Sequence, residues 1–280
     1  MLTTPDPGSA CWNFMAHEER ISLASVDAFR GFAGVNPWAC NAVFAAKIAR
    51  NAGKNGVFSR FHGHTREVRI EGANWRETIV AHGLNSRARA MLDEFADLPM
   101  TARILMLEAV TPFALAVRGR FPYAIGAEYL PTPQDRAAFF PIPHCDITKA
   151  SYPDGVFDVV VSNDVLEHVP SVEAAMRETR RILKRGGVCL ATFPFAAGQH
   201  ESVVKAKLEG GHVVHLTEPE YHGNPVDPQG SLVFTIPGWD ILDTCKDVGF
   251  AGAEMVFVSS VQRSITGTEM AGVFILRAVA

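Results

Sequence analysis

The chain has 280 residues, of which 48% are hydrophobic and 20% are charged, and its formal net charge is −4. These values predict a folded protein with one substantial core and a small accessory region, and the acidic balance excludes a broad basic surface for nucleic acid or anionic lipid. The five cysteines are scattered and lack the paired spacing of a zinc ribbon or a disulfide framework, which favours a reducing compartment.

Residues 1–10 lack the basic and then apolar pattern of a signal peptide, and no apolar run is long enough to cross a bilayer. We therefore expect a cytoplasmic protein that acts on a small molecule and has neither a membrane nor a nucleic-acid partner. The sequence leaves a homodimer open.

Residues 1–55 combine many aromatic and aliphatic side chains with interrupting glycines and a proline. This density is too high for a solvated tail and predicts short packed helices. Trp12, Phe14 and Trp38 can either line a pocket or pack in a core, and core packing is the more common outcome for such side chains.

Residues 57–80 alternate in the manner of short strands. This stretch contains His62 and His64, and His82 follows it. Three histidines without a thiolate or a firm ligand spacing match structural zinc chemistry poorly, so no metal is expected.

The next predicted elements are a helix and a strand–helix–strand unit. The helix begins at Arg87, after Asn85 or Ser86 as its N-cap. Residues 103–108 then form a strand, and Thr111 with Pro112 begins the following helix.

Residues 123–128 form the second strand of this unit. Glu128 lies about 20 residues beyond the end of the first strand, where a βαβ nucleotide site places an acid to accept both ribose hydroxyls. The turn after the first strand contains no glycine, which argues against the close pyrophosphate contacts of NAD or FAD.

The clearest pattern lies between residues 157 and 192. Residues 157–161 form an apolar, β-branched strand that leads into polar Asn163 and Asp164. A helix with basic residues in its last turn follows Ser171, and residues 188–192 form another strand. Strand, helix and strand imply a right-handed parallel crossover with ligand groups at the carboxyl ends of the strands.

Four runs then carry a family resemblance: Asp146-Ile-Thr, Pro153-Asp-Gly-Val-Phe-Asp-Val-Val-Val, Val165-Leu-Glu-His-Val-Pro and Arg181-Ile-Leu-Lys-Arg-Gly-Gly. In this order and spacing they resemble the second half of class I S-adenosylmethionine (SAM)-dependent methyltransferases. The resemblance implies an α/β fold with a Rossmann-like, seven-stranded, mostly parallel sheet, helices on both faces and an antiparallel C-terminal strand. Residues 99–280 would form this SAM-binding domain, and residues 1–98 a small helical and β cap.

The same resemblance implies that SAM binds at the carboxyl edge of the sheet. Glu108 would hold the methionine ammonium, and Asp146, after a predicted strand over residues 138–144, would accept a hydrogen bond from the adenine amino group. Arg87 either binds the SAM carboxylate or is an ordinary arginine that is solvated or paired with an acid. The full set of expected cofactor contacts is Arg87, Glu108, Ala109, Thr111, Glu128, Tyr129, Asp146, Ile147, Asn163 and Asp164.

The sequence after residue 193 has a less regular pattern of apolar and polar residues. A long structureless connection follows residue 193, then a helix over 239–248 and two closing apolar strands. The connection offers His215, Tyr221 and His222 as acid–base groups, with loop anchoring as the alternative. His168 can act as a general base, or it can serve the fold and adenine stacking.

The leading functional hypothesis is methyl transfer from SAM to a small-molecule acceptor through oxygen or nitrogen. The glycine-poor first turn motivates an alternative, in which SAM undergoes cyclisation or aminocarboxypropyl transfer and releases methylthioadenosine. A second alternative is a methyltransferase-like scaffold without activity.

Overall fold

The computed structural model describes residues 17–54, 68–71, 76–79, 85–224, 226–261, 263, 265–267 and 270–280. Its helices are α1 (Val26–Val35), α2 (Ala42–Lys54), α3 (Ser86–Met91), α4 (Pro112–Arg120), α5 (Pro133–Ala138), α6 (Val172–Ile182) and α7 (Asp240–Asp247). Its longer strands are β1 (Glu18–Leu23), β2 (Val68–Glu71), β3 (Arg76–Ile79), β4 (Ile104–Met106), β5 (Ala124–Gly126), β6 (Phe157–Asn163) and β7 (Leu183–Thr192). They continue with the short strands β8 (Val203–Val204), β9 (Ala206–Glu209), β10 (His212–His215), β11 (Tyr221–His222), β12 (Ser231–Leu232) and β13 (Thr235–Ile236), and end with β14 (Gly252–Ser260) and β15 (Val273–Val279).

Seven of these strands form one sheet in the order β1-β14-β15-β7-β6-β4-β5. Strand β4 runs parallel to β5 and β6, β6 runs parallel to β7, and β15 runs antiparallel to β7. This arrangement confirms the predicted α/β Rossmann-like class with its antiparallel C-terminal strand. Because β4 to β7 are parallel, their carboxyl ends lie on one edge of the sheet, where α/β folds bind ligands.

The strand–helix–strand unit predicted from the sequence is confirmed. Val159, Val160 and Val161 of β6 are buried, as expected for a strand covered on both faces. The Ser171 hydroxyl accepts a hydrogen bond from the Ala174 amide at 3.1 Å and so caps α6. Strand β7 begins at residue 183, five residues earlier than predicted.

Two further predicted caps are also confirmed. Asn85 Oδ1 accepts a hydrogen bond from the Ala88 amide at 2.8 Å and caps α3. Thr111 Oγ1 accepts one from the Ala114 amide at 3.2 Å and caps α4, with Pro112 as the first helical residue. Both caps follow from local sequence, because a short oxygen-bearing side chain at this position needs no tertiary partner.

The strand predicted over residues 138–144 is wrong. Helix α5 occupies residues 133–138, and the rest of the stretch contributes only a single bridge between Glu128 and His144. Pro141 and Pro143 explain the difference, because proline has no N–H to donate to a strand ladder. The seven-stranded sheet is completed at its other end by β1.

Two other predictions were incomplete. Residues 1–55 were expected to form helices alone, whereas β1 precedes α1 and α2 and alternates exposed and half-buried side chains up to the buried Leu23. The connection after residue 193 is not structureless, because β8 pairs with β13, β9 with β10 and β11 with β12. Gly210 and Gly211, with φ of 57° and 83°, form the two-residue turn between β9 and β10.

The chain divides into two compact units. The first unit comprises residues 1–22, 31–96 and 256–275. Its core includes a buried cluster of Ala45, Ile48, Val261 and Ala271, against which Trp38 and Phe44 pack.

The second unit comprises residues 23–30, 97–255 and 276–280, and it contains the parallel strands β4 to β7. Among the described residues, no helix combines the length and apolar character needed to span a bilayer.

Candidate functional site

The residues that follow β4, β5 and β6 meet at the carboxyl edge of the second unit. The register pairs Met106 of β4 with Gly126 of β5 and with Val161 of β6. These three residues are therefore level with one another, which places the polar residues two positions later at one edge. Glu108, Glu128 and Asn163 occupy these positions.

Glu128 binds the turn that follows β4. Its Oε1 accepts hydrogen bonds from the Ala109 amide at 2.7 Å and from the Val110 amide at 3.4 Å. Burial raises the pKa of Glu128, and the two amide contacts act in the opposite direction. Through this contact the acid after β5 fixes the backbone after β4, and the expected ribose contact of Glu128 stays a prediction.

The conformation of this turn explains how it forms without glycine. Asp164 is the one non-glycine residue with a positive φ in the described part of the chain, so residues 107–111 lie in backbone regions open to any residue. The backbone of Gly126, on the neighbouring strand β5, lies close to the backbone of this turn. A Cβ atom there would lie 2.8 Å from the Ala109 Cα and 2.9 Å from the Glu108 carbonyl oxygen.

Glu108 is a buried acid with a strongly shifted proton affinity. Burial raises its pKa to about 7, with Asp164 and Glu128 as further raising charges and with hydrogen bonding from Thr111 and Asn163 as lowering influences. The Thr111 hydroxyl donates to Oε2. Oε1 is buried and has no hydrogen-bond partner of good geometry in the described part of the chain, although the Asn163 side chain is near enough to lower the pKa.

The chain turns sharply at the end of β6. Asp164 has a φ of 54°, and its amide donates to the Thr192 carbonyl oxygen at 2.8 Å. The Thr192 hydroxyl donates to Asn163 Oδ1. A left-handed aspartate costs free energy, and residues with such backbone strain cluster at active sites and ligand-binding sites.

The remaining expected SAM contacts have local roles. Asp146 Oδ1 accepts hydrogen bonds from the amide and the hydroxyl of Thr148, at 3.0 and 2.6 Å, and so caps a 3-10 turn at Ile147–Lys149. The Ile147 side chain is buried, whereas Tyr129 is exposed. Arg87 lies in the first turn of α3 and is half-buried. Their contacts with SAM stay predictions.

Several sequence-predicted residues cannot be placed. Trp12, Phe14, His62, His64 and His82 lie outside the described residues. Trp38 is described, and it packs in the core of the first unit, with its ring centroid 6.1 Å from that of Phe44.

The four acid–base candidates separate into two groups. His215 on β10 and Tyr221 on β11 are exposed. His168 and His222 lie together, with ring centroids 5.2 Å apart and ring planes nearly perpendicular at 87°. Burial lowers the pKa of His168, so its neutral form is favoured at pH 7.

Glu167 joins this pair, although the sequence analysis assigned it no role. Its carboxylate is fully buried, and Oε1 lies 3.6 Å from His168 Nε2 and 3.6 Å from His222 Nδ1. The signal in the sequence was the acid directly before His168 in a turn after a strand. The approach of His222, 55 residues further along the chain, had no local signal.

Comparison with known proteins gives the following similarities. Residues 125–191 match the family model described as a methyltransferase domain. A sarcosine/dimethylglycine N-methyltransferase of Halorhodospira halochloris is 36% identical over 72 residues, which are 25% of this chain and 26% of the relative. An uncharacterized methyltransferase of Mycobacterium sp. (strain KMS) is 27% identical over 107 residues, which are 36% of this chain and 42% of the relative.

The chain thus spans between about a quarter and less than half of the length of these curated relatives. Among solved structures, an S-adenosylmethionine-dependent methyltransferase of Mesorhizobium loti has 17% sequence identity and a TM-score of 0.44, with coverage of 71% of this chain and 99% of that one.

Proposed function

We propose that this chain, whose residues 125–191 match a methyltransferase-domain model, is a class I SAM-dependent enzyme that transfers the methyl group of SAM to a small-molecule acceptor through an oxygen or nitrogen atom. The family match at residues 125–191 agrees with the resemblance found in the sequence and supports the transferase class and SAM as the cofactor. The observation that carries the proposal is the meeting of Glu108, Glu128 and Asp164 at one sheet edge with the histidine pair nearby.

Glu108 fits the amino group of the cofactor. Its Oε1 is a buried acceptor atom without a well-placed donor in the described part of the chain, and a buried carboxylate needs a donor or a cation to remain ionised. The methionine ammonium of SAM supplies both. We assign Glu108 to this contact, with Thr111 as the residue that orients the carboxylate.

The other proposed cofactor contacts come from residues at and beyond the ends of β5 and β6. Glu128 fixes the turn at Ala109 and would accept the ribose hydroxyls with its remaining lone pairs, since a carboxylate has about four acceptor positions. Asp146 and Ile147 would face the adenine ring, beside Tyr129. Asn163 and Asp164 complete the edge.

The acceptor side is assigned to Glu167, His168 and His222. Asp164 acts on both the cofactor side and the acceptor side, because its charge raises the pKa of Glu108 and the pKa of His168. SAM supplies an activated methyl group, so the protein has to position the nucleophile, exclude water and take up one proton. The described contacts favour His168 and His222 over His215 and Tyr221 for this task.

A small acceptor is supported by two observations. The net charge of −4 provides no broad basic field for a nucleic acid. The relative from Halorhodospira halochloris acts, by its name, on sarcosine and dimethylglycine, which are small amines. We further propose that the protein is cytoplasmic, that residues 1–98 form an accessory cap and residues 99–280 the catalytic domain, and that a homodimer remains compatible with this arrangement.

A second candidate function is SAM chemistry on the methionine side. It is favoured by the turn after β4, which is fixed to Glu128 where a glycine-rich turn is usual. The experiment is to incubate the protein with SAM, with and without a panel of small amines and phenols, and to quantify S-adenosylhomocysteine and methylthioadenosine by mass spectrometry against a heat-treated control.

Acceptor-dependent S-adenosylhomocysteine supports methyl transfer, and enzyme-dependent methylthioadenosine without an acceptor supports the alternative. Failure to bind SAM in calorimetry would contradict both and leave the inactive scaffold.

A further inference from the structure

The side chains of Glu167, His168 and His222 converge in the second unit. Their potential ligand atoms all lie within 4.8 Å of one another. Glu167 belongs to the 3-10 turn after β6, and His222 belongs to β11. The backbone connects the two through residues 233 and 234, because the Phe234 amide donates to the Glu167 carbonyl oxygen at 2.7 Å and the Val233 amide donates to the Glu220 carbonyl oxygen at 2.8 Å.

The hydrogen bond at Nδ1 of His168 determines the tautomer of the ring, and thereby whether Nε2 presents a lone pair to Glu167. His168 Nδ1 lies 2.9 Å from the Leu232 carbonyl oxygen. A carbonyl oxygen can only accept, so Nδ1 carries the proton and donates it. In the neutral ring, Nε2 therefore directs its lone pair toward Glu167.

His222 is oriented in the same way by a different acceptor. Its Nε2 lies 3.1 Å from Glu220 Oε1, and the Glu220 carboxylate is paired with the ammonium of Lys205. An ionised carboxylate accepts, so Nε2 donates and Nδ1 carries the lone pair of the neutral ring. The contacts from Lys205 to Glu220 and from Glu220 to His222 thus orient a second nitrogen lone pair toward Glu167.

Two imidazole lone pairs and one carboxylate oxygen repel one another unless a proton or a metal ion lies among them. A ligating histidine whose other ring nitrogen donates to a carbonyl or carboxylate is the usual outer contact of a protein metal site. We propose that Glu167, His168 and His222 bind one divalent metal ion of the first transition row. The separation of 3.6 Å from Glu167 Oε1 to each nitrogen is near the spacing of about 3.4 Å between neighbouring ligands in a tetrahedral site with bonds of about 2.1 Å.

The donor set determines the class of ion. Two imidazoles favour zinc, copper, iron or nickel over magnesium and calcium, which prefer oxygen. Three protein ligands leave at least one coordination position open, which is the arrangement of catalytic metal sites. In the sequence, His62, His64 and His82 were the candidate metal ligands, and this site uses none of them.

The ion defines the acceptor more narrowly, and this step rests on the proposed function. The open position suits an acceptor with an oxygen donor at or beside the atom that is methylated. A hydroxyl held there loses its proton to solvent more readily, and its oxygen then forms the new bond to the methyl carbon while the sulfur keeps the electrons of the broken carbon–sulfur bond. In this refinement His168 and His222 bind the ion, and the acceptor proton leaves to solvent and not to either imidazole.

The test uses the full chain after treatment with a chelator. We expect Zn²⁺ to bind with 1:1 stoichiometry in calorimetry and Co²⁺ to produce visible absorption bands typical of nitrogen and oxygen ligation. Glu167→Gln and His222→Ala should each weaken Zn²⁺ binding at least 10-fold. His212→Ala, which removes an exposed histidine of the same segment, should leave it unchanged.

A further variant addresses the outer contact without touching a ligand. Glu220→Gln should weaken Zn²⁺ binding about 10-fold, because outer-contact changes typically cost 10- to 100-fold in affinity. The matched control is Glu218→Gln, an exposed neighbour. Wild-type protein that binds neither Zn²⁺ nor Co²⁺ overturns the proposal whatever the variants do, as do variants that bind the metal as tightly as the wild type.

The same samples are titrated with SAM, so that the two proposals can fail separately. SAM binding without metal binding refutes only the metal site. Metal binding at these residues without SAM binding or methyl transfer supports the site and refutes the proposed function.

Discussion

Glu128 Oε1 accepts a hydrogen bond of 2.7 Å from the backbone amide of Ala109. An acid at the end of one strand therefore holds the turn at the end of its neighbour. A glycine-rich turn would expose its amides to a ligand, whereas here at least one amide is satisfied within the protein. The shape of the cofactor site thus depends on a side chain from a different strand.

We expect Glu128→Ala to weaken SAM binding at least 10-fold and to lower the free energy of unfolding by about 1 to 3 kcal/mol, because the buried Ala109 amide loses its acceptor. Calorimetry with SAM and urea denaturation measure the two effects. Glu173→Ala is the control, since Glu173 is exposed on α6 and pairs with Arg177 one turn away. SAM binding by Glu128→Ala equal to that of the wild type would contradict the assignment.

Glu108 should make stability depend on pH. Its pKa in the folded chain is about 7, against an ordinary value of 4.5, so the folded state keeps a proton that the unfolded state has lost. The free energy of unfolding should therefore fall as the pH rises from about 4.5 to about 7 and then level off. The loss is on the order of 3 kcal/mol.

Urea denaturation of the wild type and of Glu108→Gln between pH 4 and 8 measures this effect without SAM. The difference between the two curves isolates Glu108, because the other titrating groups are common to both. Parallel curves would show that Glu108 titrates normally.

SAM binding should tighten as the pH rises through 7. Loss of the Glu108 proton produces the carboxylate that pairs with the methionine ammonium, and charge-assisted hydrogen bonds are the stronger class. Calorimetric titrations from pH 6 to 8 measure the change, and Glu108→Gln should bind more weakly with a flatter profile. A wild-type profile that is flat or inverted would exclude this role for Glu108.

Gly126 and Gly119 provide a matched pair of substitutions. Gly126→Ala should destabilise the protein by about 1 to 3 kcal/mol and weaken SAM binding, because the new methyl group would overlap the Ala109 backbone. Gly119→Ala meets nothing within 4 Å in helix α4 and should stabilise by about 0.5 to 1 kcal/mol. Thermal denaturation of both variants checks the contrast, and equal effects would refute the close approach at Gly126.

Parts of the fold are encoded locally and were predicted from the sequence. The caps at Asn85, Thr111 and Ser171 each involve a side chain and an amide three residues later, so a short stretch specifies them. Strand β6 was recognisable because a strand buried on both faces is continuously apolar. The strand predicted over residues 138–144 failed because its apolar residues were weighed without the missing N–H groups of Pro141 and Pro143.

By itself, the sequence determined the α/β class, the methyltransferase resemblance and the acids that end the parallel strands, because these depend on periodicity and on residue order. Tertiary structure alone decided that Glu128 holds Ala109 and that His222 reaches Glu167. Both contacts need separate segments to meet, and in the second case the Phe234 amide also donates to the Glu167 carbonyl oxygen. Local sequence patterns do not predict such contacts, because packing and hydrogen bonds between residues far apart in the chain stabilise them.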